Sequence, residues 1–133
     1  MTSQVVGWPV WAGVIAKDVQ AQRHFYRDVL GFREMVASES VVWFDLGWPN
    51  LFEIIAASSE PQYSAPRYQV AFAVGDIHVA RAELIARGAK AVTEINGKPQ
   101  YGGYWCYFQD VEGNIFAITQ RLGPPWPNPR ESQ

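Results

Sequence analysis

The segment Asn50-Leu51-Phe52-Glu53-Ile54-Ile55 returns, altered but legible, as Asn114-Ile115-Phe116-Ala117-Ile118-Thr119. Upstream, Trp11-Ala12-Gly13-Val14-Ile15-Ala16-Lys17-Asp18-Val19 aligns without a gap on Gln69-Val70-Ala71-Phe72-Ala73-Val74-Gly75-Asp76-Ile77. Self-similarity at such a period means one supersecondary unit used twice, and this constrains the fold before composition is consulted. It also pairs positions across the two copies: Trp11 with Gln69, and Glu53 with Ala117.

Each copy reads as βαβββ. In the first, residues 10–16 form a strand and Asp18 caps a helix that carries Val19, Phe25, Tyr26, Val29 and Leu30 on one face, with Gly31 as its stop. Strands over 32–37, 41–46 and 51–57 follow, separated by polar and Gly/Pro-containing turns. Residues 58–66, rich in Ser, Pro and Ala, are expected to link the copies. In the second copy a strand over 68–74 precedes a helix capped by Asp76, bearing Ile77, Ala80, Leu84 and Ile85 and ended by Gly88. Strands over 90–95, 104–109 and 114–120 complete it, with Asp110-Val111-Glu112-Gly113 as the turn before the last. The segment from Leu122 onward is Pro-rich and excluded from helix or inner strand, and its Trp126 is expected to dock on the body or on a neighbouring subunit.

The organisation expected is a single domain over residues 1–133, with module one at about 8–57, a linker at 58–66, module two at about 67–121 and a tail at 122–133. A chain of 133 residues buries roughly two thirds of the surface that its unfolded form exposes, enough core to fold without staples. One cysteine, Cys106, rules out an internal disulfide framework. No charged-then-apolar leader follows Met1, and no apolar run approaches the ~18 residues of a membrane span, so a soluble cytoplasmic protein is expected. A net charge of −2, with acids and bases interspersed, leaves no basic stripe for nucleic acid. The unusual component is aromatic: six tryptophans, whose large apolar faces and hydrogen-bonding edges suit a core and equally suit a pocket for a flat organic ligand.

The stretch from Asp18 through His24-Phe25-Tyr26-Arg27-Asp28-Val29-Leu30-Gly31-Phe32 resembles the helix signature of the vicinal oxygen chelate superfamily, which includes glyoxalase I, bleomycin-resistance proteins and extradiol dioxygenases. Tyr107-Phe108-Gln109-Asp110-Val111-Glu112-Gly113-Asn114 is similar to the closing strand-turn-strand of that family. The resemblance spans about residues 10–120. It implies an α+β fold in which two tandem βαβββ modules form a cupped mixed β-sheet with helices on the outer face. One such scaffold hosts lyases, dioxygenases, epimerases, thiol transferases and drug-binding proteins, so the family alone does not specify an activity.

Metal-dependent members imply ligands on the first and last strands of each copy, typically His or Gln on the first and Glu on the last. Mapped onto this chain, those positions are Trp11, Glu53, Gln69 and Ala117. An indole N–H is only a donor and Ala offers a methyl, so no metal and no other cofactor are expected. His24 and His78 lie in the expected helices, away from the cavity. Strand alternation then puts Trp11, Gly13, Ile15, Leu51, Glu53, Ile55, Gln69, Ala71, Ala73, Ile115, Ala117 and Thr119 on the cavity face. The opposite set, Val10, Ala12, Val14, Val70, Phe72 and Val74, is wholly apolar and belongs under the helices.

Candidate ligand-binding residues are therefore Trp11, Glu53 and Gln69, with Trp43, Tyr104 and Trp105 on strands that complete the pocket. Glu53, inward among apolar neighbours, requires a partner, a proton or a cation. As an enzyme's residue it would be the catalytic acid or base. Cys106, without a basic neighbour in sequence, reads as a buried inert thiol. Gly102-Gly103 suits either a hinge or a tight turn.

The leading functional expectation is metal-free binding of a small hydrophobic or aromatic molecule, resembling a resistance protein that sequesters a drug or metabolite. The alternatives are a metal-independent isomerase, cyclase or lyase using Glu53, a metal-dependent glyoxalase- or dioxygenase-like enzyme, and a non-binding interaction module. The expected partners are the small molecule and a second copy of the chain in a homodimer, with neither nucleic acid nor membrane.

Overall fold

The computed structural model describes residues 3–123. Two compact units divide them, residues 11–70 and residues 3–10 with 71–123. The expected docking of Trp126 falls outside the described residues.

The unit over 11–70 is built on β1 (Pro9–Ala16), α1 (Val19–His24), β2 (Arg33–Ala37), β3 (Val41–Asp45) and β4 (Leu51–Ala56). Its strands run in the order β2-β3-β4-β1, with β2, β3 and β4 antiparallel in succession and β1 parallel to β4. Asp18 caps α1 by accepting from Ala21 N at 2.9 Å, which satisfies one of the four donors that every helix start leaves open. Arg23 ties α1 to β2 through two bonds to Glu34, at 2.7 and 3.0 Å. Gly31, at φ 76°, ends the helical segment in the left-handed region that a side chain rarely adopts.

The helix departs from expectation after His24. Residues Phe25–Val29 form a π turn, closed by Leu30 N donating to Phe25 O at 3.1 Å. A π turn holds an extra residue and rotates everything beyond it relative to a 3.6-residue wheel. Of the expected apolar face only Val19 and Tyr26 are buried, while Phe25, Val29 and Leu30 are exposed. Tyr26 packs on Phe52 at 4.6 Å between ring centroids, within a core of Val14, Ala16, Val19, Val42, Phe44 and Ile54. Ala12, Val14 and Ala16 thus lie under the helix, as alternation requires.

The segment between the repeats is more than a spacer. It forms a 3₁₀ turn at Pro61–Tyr63, is closed by Ser58 N donating to Tyr63 O at 2.7 Å, and buries Gln62. It leads into β5 (Arg67–Ala73).

In the second unit, residues 71–73 of β5 pair in parallel with β9 (Ile115–Arg121), and β9 pairs antiparallel with β8 (Gly103–Gln109). Helix α2 (Ile77–Ala86) is capped by Asp76, whose Oδ1 accepts from His78 N and Val79 N. Val74, Ile77, Ala80, Cys106, Phe108 and Ile118 form the core beneath it. The strand expected over 90–95 is replaced by two short ones, β6 (Lys90–Ala91) and β7 (Asn96–Lys98), both antiparallel to β8. Between them Val92 N and Thr93 N converge on the single carbonyl of Tyr107, and Thr93 Oγ1 accepts from Tyr107 N. Two donors on one acceptor put an extra residue in the ladder and break the strand. The turn after Gln109 forms as expected, with Asp110 accepting from Glu112 N and from both nitrogens of Asn114, which holds its carboxyl below the usual range.

Glycines 102 and 103 serve a tight turn. Gly102 (φ 85°) closes the 3₁₀ segment Pro99–Tyr101, and a Cβ on Gly103 (φ 151°) would collide with the Gln120 carbonyl of β9. Cys106 is fully buried, and burial pushes its thiol from 9.0 up to about 11, with Arg81 working weakly against the shift. The thiol is therefore protonated at neutral pH. Alkylation of the native protein near pH ~8 is expected to run roughly a hundredfold slower than that of the unfolded chain. Equal rates in a thiol-alkylation time course would contradict this.

Candidate functional site

Three adjacent strands bring the site of residues 11–70 together. Glu53 on β4 stands opposite Gly13 on β1 and opposite Trp43 on β3. Trp11, two residues before Gly13, shares its face. The carboxyl group of Glu53 accepts from both indoles: Trp11 Nε1 donates to Oε1 at 2.8 Å and Trp43 Nε1 donates to Oε2 at 3.0 Å. Each tryptophan is 8% exposed, so both rings are buried apolar walls joined at their polar edges by a single carboxyl group. The partner that Glu53 requires is this pair of indole donors.

Gly13 makes the arrangement possible. The benzo edge of Trp11 lies where a β-carbon on Gly13 would stand, with Cζ2 and Cη2 both well inside van der Waals contact of that point. The backbone there is ordinary strand, so glycine is needed for space rather than for a special dihedral angle.

Gln69 is 97% buried on β5, since 3% of it is exposed. Its Nε2 donates to the backbone carbonyl of Gln62. That carbonyl can only accept, which fixes the amide orientation and identifies the other atom as the oxygen. Gln69 Oε1 is buried and has no hydrogen-bond partner. Gln62, in turn, donates to Glu60 at 3.0 Å.

The other sequence candidates lie elsewhere. Tyr104 packs against the core beneath α2, on the helix side of β8, so its side chain does not share a face with Trp105. Trp105 occupies the opposite side of β8, half-buried, edge-on to Tyr101 at 6.4 Å. Ala117 is buried on β9 between Ala71 and Tyr107. Gln62 and Gly13 were not among the candidates. Gly13 carried a signal in its alternation with Trp11, whereas nothing in a Ser/Pro/Ala segment singled out Gln62.

A divalent metal does not fit the donor set. Trp11 contributes an N–H that is already donated, Ala117 a methyl, and Glu53 two oxygens that each accept an indole bond. Gln69 Oε1 is the sole uncommitted oxygen among the mapped side chains, against the three or so ligands that a catalytic centre requires. No cluster of three or more His, Cys, Asp or Glu occurs among the described residues. His24 is surface-exposed beside Asp28 at 2.7 Å. A separate open groove of about 570 Å³ along α2 includes His78, Arg81 and Glu94, and Arg81 is held there by the Thr93 carbonyl at 3.1 Å and by Glu94 at 3.6 Å.

Comparison with known proteins agrees with this architecture. The glyoxalase/bleomycin resistance protein/dioxygenase superfamily matches residues 8–118, and the chain belongs to that superfamily. Among curated proteins none matches at a significant level. Solved structures with the same fold include methylmalonyl-CoA epimerase from Mycobacterium tuberculosis, at 16% identity, TM-score 0.69, and coverage of 92% of this chain and 93% of that one. The Mn(II)-bound glyoxalase from Novosphingobium aromaticivorans is 22% identical with TM-score 0.65, the match covering 93% of this chain but 41% of the other. NAD-dependent benzaldehyde dehydrogenase from Legionella pneumophila matches at 11% identity and TM-score 0.64, over 84% of this chain and 97% of that one. At these identities the likeness is one of fold. No helix among the described residues is long and apolar enough to cross a membrane.

Proposed function

We propose that the chain binds a small planar, hydrophobic or aromatic molecule against the Trp11–Glu53–Trp43 face, without a metal, as a drug- or metabolite-binding protein of the cytoplasm. The observation that carries this is the double indole bond to Glu53. Two large rings held at their edges form a rigid apolar surface, and preorganised aromatic walls lose little entropy when a flat ligand stacks on them. The same bonds weigh against Glu53 as a general base, because both of its oxygens are already engaged by indole donors.

The test is calorimetry and tryptophan fluorescence on chelator-treated protein, with indole and benzofuran as planar probes. Binding of at least one probe, with quenching, and indifference to chelator is expected. Failure of both to bind, or binding and turnover that return only with a divalent ion, would overturn the proposal. Metal in protein purified without chelator is expected to be clearly sub-stoichiometric. Elemental analysis showing one tightly held transition metal per chain would contradict this.

We also propose a homodimer. The exposed apolar side chains of Phe25, Val29 and Leu30, turned outward by the π turn, support self-association. Light scattering at micromolar concentration is expected to return twice the chain mass, and a monomer mass would refute it.

A further inference from the structure

We infer that Gln69 Oε1 is the atom that reads the ligand, and that the ligand class is planar molecules carrying an N–H or O–H donor at the ring edge. The inference rests on the binding role proposed above and adds the chemistry that selects among flat molecules. It follows from counting donors and acceptors. Trp11 and Trp43 have one polar hydrogen each, and both are donated to Glu53. Gln69 aims its amide nitrogen at the Gln62 carbonyl. The indoles are left with no donor for a ligand. Of the two buried side-chain atoms without a partner among the described residues of this unit, Gln69 Oε1 is the acceptor, and Arg67 Nε, two residues earlier on β5, is a donor.

A buried carbonyl without a partner is unfavourable, and a native fold keeps one where something else supplies the donor. Gln69 cannot supply it by rotating its amide, because the flipped group would set oxygen against the Gln62 carbonyl oxygen. Tyr68, its neighbour on β5, reaches Tyr26 of the helix-side core through a hydroxyl–hydroxyl hydrogen bond of 2.6 Å, so alternation puts Gln69 on the face away from that helix. Trp11, Trp43 and Glu53 have the same sense on their own strands, whose opposite neighbours Ala12, Val42, Phe44, Phe52 and Ile54 make the helix-side core. A ligand that stacks on indole and donates one hydrogen bond completes this set.

Indole and benzofuran have nearly the same shape and differ in one ring-edge N–H, so their affinity ratio isolates the donor. Calorimetry on the full chain is expected to give indole roughly tenfold tighter than benzofuran, the effect of satisfying one buried acceptor. In Gln69→Met, which keeps the length and loses the acceptor, the ratio is expected to fall to about one while benzofuran affinity is retained. Equal affinities in the wild-type protein, or an unchanged ratio in Gln69→Met, would overturn the inference while leaving the binding role standing. Should the variant fail to fold, the wild-type ratio decides alone. If neither probe binds at millimolar concentration, the inference falls together with the binding role.

Discussion

Replacing Glu53 by Gln is expected to destabilise the protein by about 1–3 kcal/mol and to free one of the two buried indoles, the range for a lost hydrogen bond that leaves a buried donor unsatisfied. The reason is a mismatch of polarity. Both indole partners of Glu53 are N–H donors. An amide offers one oxygen and one NH₂, so one indole keeps its bond while the other faces a second donor. Urea unfolding followed by tryptophan emission tests both parts: the midpoint should fall and the native emission should shift as one ring loses its partner. Affinity for a planar probe should fall with it, since the freed ring no longer presents a fixed wall. A variant as stable as wild type, with unchanged emission, would mean that the carboxyl group does not organise the tryptophans.

Gly13→Ala is expected to have an effect of similar size for a steric reason. One methyl group would occupy the volume of the Trp11 benzo edge, and the Glu53 backbone carbonyl stands 3.1 Å from the same point. The ring must swing off Gly13, and its N–H then leaves Glu53. Overpacking of this kind typically costs about 1–3 kcal/mol, and here a buried hydrogen bond is lost as well. The control is Gly75→Ala, where nothing lies within 4 Å of the added carbon. A larger loss at Gly13 than at Gly75, with red-shifted emission only at Gly13, is the expected outcome. Equal losses at the two glycines would mean that Trp11 is not confined by the bare backbone beneath it.

Much of this arrangement was legible in the chain. Asp18 and Asp76 announced their helices because a short carboxylate before an apolar run has few better uses than capping. Alternation assigned Trp11 and Glu53 to one face because successive side chains on any strand must point to opposite sides. The pairing of Trp43 with Glu53 was available in principle from the hairpin at Gly47-Trp48-Pro49-Asn50: once Asp45 sits opposite Leu51, counting back along both strands brings 43 to 53. The π turn was not legible, since a helical wheel presumes a uniform period, and Phe25, Val29 and Leu30 were misplaced for that reason. The burial of Gln62 was hidden by a composition that reads as a spacer.

Patterning along the chain set the repeated βαβββ unit, the faces of its strands and the unsuitability of Trp11 and Ala117 as metal ligands. All of these follow from covalent geometry, side-chain chemistry and local patterning. Tertiary structure decided that Glu53 is held by two indoles and that Gln69 keeps a bare carbonyl. The first depends on β1 lying parallel to β4 in a register that sets Gly13 against Glu53, a contact between residues forty apart for which no local rule selects the alignment. The second depends on how the 3₁₀ turn at Pro61–Tyr63 presents a backbone oxygen to β5. Hydrogen-bond partners are chosen by distances of a few ångströms, and only the packed chain sets those distances.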